Sequence, residues 1–246
     1  MIERAIESIR ALIIDGDLLP GSRLPPEQEL AAQLGSSRNT TREAVRALVA
    51  ARVLDVRRGD GTYVTSLLPE LLLDGIGLAV DLMQADSYLE LVEVRRVLEP
   101  AITELAALRM SDADIDTLRR ELELMRAAGS RHDQLIVHDA AFHDIVATGS
   151  GNAALASMLR GVSSRTLRAR VWRGLVDADA HTRTVAEHEL IFAAIHARDP
   201  VLARASATVH VSTTERSLRQ LLQQDAEDDP ATATVGPEGR GGQAVG

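Results

Sequence analysis

The chain has no cysteine, which rules out disulfides and thiolate metal sites. It has no lysine either: all 27 basic residues are Arg, a bias that genome composition alone can produce. Aromatic residues make up 2% of the sequence, and the apolar residues are mostly Ala, Leu, Val and Ile, a mixture that favours packed helices over sheets. No apolar run approaches the length of a membrane span, and the N-terminus carries no apolar signal region, so a cytoplasmic protein is expected. The sequence has no HExxH motif, nucleophile elbow or glycine-rich phosphate loop, and Gly149-Ser150-Gly151 is too short to serve as one. A metal hydrolase would also need a positioned base; Glu187 and Asp144 are the nearest candidates, and Asp144 points away on the helical wheel.

What is present suits two domains: 246 residues, 45% of them apolar, enough to bury a core. The net charge of −9 argues against nucleic-acid binding only if it is taken as one number. Residues 1–66 carry 9 Arg against 9 acids, so the whole deficit lies downstream. Within them, Arg38 to Arg58 holds 6 Arg against Glu43 and Asp55, a net of +4. A basic stripe on a neutral domain, joined to an acidic one, indicates a division of labour.

In the first segment Ile2, Ala5, Ile6, Ile9, Leu12 and Ile13 recur at helical spacing, and Gly16 marks the exit. "PPEQELAAQLG" predicts a second helix: Pro26 suits its first turn, acids follow at the positive end, and Gly35 can take the left-handed cap. Ser36-Ser37 can cap a third helix, "RNTTREAVRALVAA", with Ala44, Val45, Leu48 and Ala51 on one apolar side and Asn39, Arg42 and Arg46 off it. "VLDVRRGDGTYVT" places two β-rich runs around Gly59-Asp60-Gly61, a hairpin signal. Together these describe a winged helix-turn-helix, in which a helix enters the major groove and Arg forks reach guanine edges or phosphates. A merely solvated basic helix face is the plain alternative.

The stretch "GSRLPPEQELAAQLGSSRNTTREAVRALVAARVLDVRRGDGTYV" resembles the DNA-binding domain of the GntR family of transcription regulators. By that resemblance Ser37, Arg38, Asn39, Thr40, Thr41 and Arg42 form the groove-facing start of the recognition helix, and Arg58 and Gly59 sit at the wing tip. Gln28 stands where the family often has Arg.

From about Leu67 the texture changes to long helical periodicities. Leu91, Leu98, Ile102 and Leu105 share a stripe with Arg95. An inward guanidinium needs an anion, either an internal carboxylate such as Glu93 or Glu99 or the carboxylate of a ligand. In "LIVHDAAFHD", Asp139 and His143 lie one turn apart on the side of Leu135, Phe142 and Val146, while His138 sits at the edge and Asp144 nearly opposite. His188 aligns with Val185, Phe192 and Ile195, and His210 with Ala203, Ser206, Thr214 and Ser217. Separate core histidines are the plain reading. Three helices each offering an inward imidazole, one with a carboxylate besides, instead predict a divalent metal ion: Zn²⁺ first, with Ni²⁺, Mn²⁺ or Fe²⁺ as alternatives.

"EVRRVLEP", "HDAAFHDIVATGSGN" and "EHELIFAAIHARD", followed by His210, resemble the helical FCD-type effector domain of the FadR branch of that family. The resemblance implies a metal held by Asp139, His143, His188 and His210, with Arg95 as the effector-binding residue in a bundle of six or seven antiparallel helices. The expected protein is thus mainly α: a winged helix-turn-helix with a small β-hairpin wing over 1–66, and an all-helical bundle over 67–224 with 67–76 as linker. A disordered tail over 225–246 follows from its Gly, Pro, Ala and acid content. The expected function is a metal-dependent regulator, a repressor, that binds double-stranded operator DNA as a homodimer and senses a small carboxylate. A metal-dependent enzyme and a purely structural metal are the alternatives. Arg165, Arg168, Arg170, Trp172 and Arg173 form a second basic cluster, expected to be a solvated face.

Overall fold

The computed structural model describes residues 1–73, 75–83, 87–163 and 180–228. The chain divides into two compact units, one formed by Met1–Met83 with Asn152–Ser164 and the other by Gln84–Gly151 with Arg165–Gly246.

The first unit opens with α1 (Ile2–Ile14), α2 (Glu27–Gln33) and α3 (Arg38–Ala50), then β1 (Leu54–Arg57) and β2 (Gly61–Val64). The apolar stripe of α1 buries Ala5 and Ile9 against Leu30, Ala44 and Leu48, with Leu54 and Val64 closing the core from the hairpin. The α2–α3 turn is set by Gly35, whose φ of 59° is a left-handed conformation open to glycine. Ser37 then caps α3, its side chain accepting from the Thr40 backbone N–H. The strands pair antiparallel from Leu54 opposite Val64 to Arg57 opposite Gly61. The stretch between α1 and α2 runs along the other edge of β2: the Gly21 and Leu24 N–H groups donate to the carbonyls of Val64 and Thr62. This is the winged helix-turn-helix expected of residues 1–66. Two short helices, α4 (Pro69–Leu72) and α5 (Gly75–Asp81), follow within the stretch that begins with the expected linker. Residues 153–163, α9, are helical and belong to the same unit.

The second unit contains α6 (Tyr88–Arg109), α7 (Asp112–Ala128), α8 (His132–Gly149), α10 (Ala180–His196) and α11 (Pro200–Asp228). Three-residue connections turn α7 back on α8 and α10 back on α11, making each pair antiparallel neighbours. α11 also packs along α6, with Val92, Val211 and Leu218 buried between them. Leu118, Leu122 and Met125 of α7 and Phe142 of α8 complete the core. α11 extends to Asp228, four residues into the segment expected to be aperiodic. The rest of that segment, and the cluster Arg165 to Arg173 with Trp172, lie outside the described residues.

Candidate metal centre and DNA-binding surface

The apolar stripes that bury α8, α10 and α11 carry their histidines inward. His188 and His210 are buried and His143 nearly so, and each offers a nitrogen within 4.8 Å of the other two. Phe142 packs edge-on against the rings of His188 and His143, with centroids 4.7 and 5.9 Å away, and so limits their rotation.

In each ring Nδ1 faces an acceptor. His188 Nδ1 donates to the Thr184 carbonyl at 2.7 Å, the previous turn of α10. His210 Nδ1 pairs with Glu187 Oε2 at 2.8 Å. His143 Nδ1 lies 2.8 Å from Glu99 Oε1, at ion-pair distance though outside hydrogen-bond alignment. A ring whose Nδ1 carries the proton toward such a partner turns a lone pair outward at Nε2, the arrangement by which outer partners orient metal-binding imidazoles.

The Nε2 atoms of His143 and His188 stand 3.1 Å apart. Asp139 Oδ1 lies 3.2 Å from His188 Nε2 and 3.9 Å from His143 Nε2. Lone pairs and a carboxylate converging on one buried point repel unless a cation lies among them, either a shared proton or a metal ion. Three imidazoles, with a carboxylate beside two of them and no sulfur, fit a borderline divalent ion such as Zn²⁺.

The electrostatics are strongly coupled. Burial pushes the Glu99 carboxyl up, but the charges of Arg95 and His143 outweigh it and hold the pKa at about 2. Asp139 is likewise lowered: burial opposes the shift, and the His188 contact with the nearby His143 charge overcomes it. His143 moves up, because Glu99 and then Asp139 outweigh the burial that disfavours its charge. Glu99 is thus the hinge of the network: Oε2 accepts from Arg95 Nε at 2.9 Å and lies 2.7 Å from Nη2, while Oε1 faces His143. The anion that Arg95 was expected to need is supplied from within, by Glu99 one turn along α6.

The residues expected to stand aside do so. His138 pairs with Glu121 of α7 at 2.9 Å, and Asp144 is exposed. Sequence reasoning missed Glu187 and Thr184 as partners of the imidazoles. In the sequence Glu187 stands out only as a candidate base, and its place beside His188 gives no sign that it serves His210 of another helix.

On α3, Ser37, Arg38, Asn39, Arg42 and Arg46 are exposed and Thr40 half-buried. Thr41 is an exception to the expected groove-facing set. It is fully buried, 2.7 Å from the Ser36 hydroxyl, and so packs the turn from the inner side of the helix. Arg42 forms a two-bond pair with Glu27 of α2: Nε donates to Oε2 at 3.1 Å and Nη2 to Oε1 at 2.7 Å. Arg58 and Gly59 are exposed in the hairpin turn, where Gly59 has a φ of 76°.

Residues 1–64 match the bacterial regulatory proteins of the gntR family, and residues 90–213 match the FCD domain. The chain belongs to the GntR family. It is 29% identical to the galactonate operon transcriptional repressor of Escherichia coli over 89% of this chain and 97% of that protein. It is 27% identical to a putative L-lactate dehydrogenase operon regulatory protein of the same species, over 95% and 92% of the two chains. Among solved structures, a GntR protein of Streptococcus agalactiae matches with a TM-score of 0.65 and 30% identity, covering 88% of this chain and all of that one. The GntR chain described here is accordingly a DNA-binding transcription regulator with an FCD domain, and not an enzyme. Among the described residues, no helix is long and apolar enough to cross a membrane.

Proposed function

We propose that this regulator is a repressor whose residues 1–66 bind operator DNA as part of a homodimer. Residues 67–224, with 67–76 as the link, hold a divalent metal ion and respond to a small carboxylate. The observation that carries this reading is the buried meeting of His143, His188 and His210, whose ligand nitrogens lie within 4.8 Å of one another, with an acceptor facing each Nδ1 and the Asp139 carboxylate beside His188 and His143. His143, His188, His210 and Asp139 would hold the ion. When bound, it would supply a fixed positive charge that can take an effector carboxylate in an open coordination position.

The chain's own residues do the rest. Glu99 orients His143 and is gripped by the Arg95 guanidinium, so an anion that engages Arg95 competes for the same fork. Any shift of α6 relative to α8, α10 and α11 is felt at the imidazoles, because the four helices meet there. A carboxylate that favours one arrangement biases the population of the whole domain, and through it the spacing of two DNA-binding units. Two relatives support an organic acid as the signal, since their names refer to galactonate and L-lactate, both small hydroxy acids.

On DNA, Ser37, Arg38, Asn39, Thr40 and Arg42 would meet the major groove, and Arg58 and Gly59 the adjacent backbone. The test uses full-length protein, an operator duplex selected from random sequence, and a panel of small carboxylates with and without Zn²⁺. At least one acid is expected to release the duplex only from metal-loaded protein. If every acid leaves the complex intact whether or not metal is present, the sensing reading is wrong.

A further inference from the structure

The geometry points to Glu27 as a specificity-determining residue: it grips one edge of the Arg42 guanidinium and presents the other edge to a base. The inference rests on the reading that Arg42 faces the major groove.

The arginines of α3 are not held alike. Arg46 meets Glu43 of its own helix through a single contact of 2.8 Å, with its side chain 69% exposed. Arg42 is held from another helix by a residue fifteen positions away, through two parallel bonds. A single contact restrains one end of a flexible chain, whereas a two-bond fork fixes the plane of the guanidinium as well. That grip uses the Nε hydrogen and one hydrogen of Nη2. The opposite edge keeps the Nη1 hydrogens and the second Nη2 hydrogen, a donor pair that matches the O6 and N7 acceptors of guanine. Arg42 remains half exposed and lines an open cleft of about 750 Å³ with Thr62 and Arg46.

Glu27 is suited to act as the fixed half of the pair, as it opens α2 directly after Pro26. The hydrogen bond from Arg42, with the fields of Arg42, Arg38 and Arg46, holds its carboxyl below the usual range, so it stays charged. A carboxylate beside a phosphate-binding helix weakens attraction to any duplex. It raises selectivity if sequences that do not use the oriented fork gain nothing to offset that repulsion. A simpler role, a favourable acid at a helix start, needs the charge but not the fork, and Glu29 in the same turn already supplies one.

The experiment measures binding of the full-length protein to a duplex selected from a random pool, to its single-base-pair variants, and to a scrambled duplex, all at one salt concentration. Glu27→Gln is expected to lower discrimination at one base-pair position about tenfold, with no loss of affinity for the scrambled duplex. Arg42→Lys, which keeps the charge and removes the fork, should show the same loss. Glu27→Gln should add nothing in an Arg42→Ala background.

Wild-type discrimination in Glu27→Gln, alongside its loss in Arg42→Ala, would overturn the role of Glu27 and leave the groove assignment standing. Unchanged preferences in Arg42→Ala would overturn the groove assignment itself. An equal loss on every duplex would mark Glu27 as merely structural. If melting shows that Glu27→Gln does not fold, Arg42→Lys decides, and wild-type discrimination there overturns the proposal.

Discussion

Arg95 is fully buried, and its charge is tolerated because Glu99 lies one turn away on the same helix. Removing one partner of such a pair strands the other in a medium that solvates it poorly. Arg95→Ala is therefore expected to cost about 3–5 kcal/mol, readable as a lower urea midpoint. The coupled shifts also set a pH profile for metal-free protein. The lowered pKa values of Glu99 and Asp139 contribute stability above the ordinary carboxylate range, lost as pH falls toward the Glu99 value of about 2. The raised pKa of His143 contributes stability fully present below its ordinary value of about 6.5 and lost as pH rises through the raised value. Zn²⁺ affinity should run the other way and climb over that same upper range, because the ion competes with the proton on His143. Melting curves in chelator and in excess Zn²⁺ from about pH 6 to about pH 9 should diverge as pH rises; parallel curves would contradict the assignment. At this scale the sequence was informative wherever helical spacing alone decides which way a side chain faces. Asp139, His143, His188 and His210 each share a stripe with core residues; the three histidines meet, and Asp139 lies beside two of them, His188 and His143. The partners Glu187 and Thr184 were not legible, since they depend on how helices pack rather than on any one helix. Thr41 shows the opposite error, in which motif position placed it in the groove but the helical face buried it.

Among the elements, α3 starts on a side-chain cap whose removal can be tested. Its first turn is capped by Ser37, while Gly35 bends the chain into it. Ser37→Ala is expected to cost about 1 kcal/mol in a denaturant titration and to weaken operator binding, since the cap also positions the residues proposed to meet the groove. In the bundle, Leu118 has no exposed surface on α7, so Leu118→Ala should cost about 2–5 kcal/mol while leaving α3 intact. Element boundaries were legible where capping chemistry is explicit: Ser37 before α3, Pro26 before α2, the Gly-Asp-Gly hairpin tip. The stripe of Leu91, Leu98, Ile102 and Leu105 also carried the reading through Pro100, which removes a backbone donor inside α6 yet lies buried within it. Boundaries were less legible at α4, which forms at Pro69–Leu72 inside the expected linker 67–76.

For the molecule as a whole, the uneven charge has a simple consequence. Residues 1–66 are neutral in sum and carry a net of +4 from Arg38 to Arg58, and the acidic excess lies in the remainder of the chain. Operator affinity should therefore fall steeply with salt, through release of counterions from the phosphates contacted by Arg side chains. The expected homodimer would sediment as twice the 26.5 kDa chain. The central claim is that one ion sits among His143, His188 and His210, and direct titration of chelator-stripped protein with Zn²⁺ tests it most directly. The account predicts one ion per chain, with binding weakened at least about tenfold in His188→Ala and in His210→Ala while both variants stay folded. Wild-type protein that takes up no metal, or variants that bind it as tightly as wild type, would contradict the account.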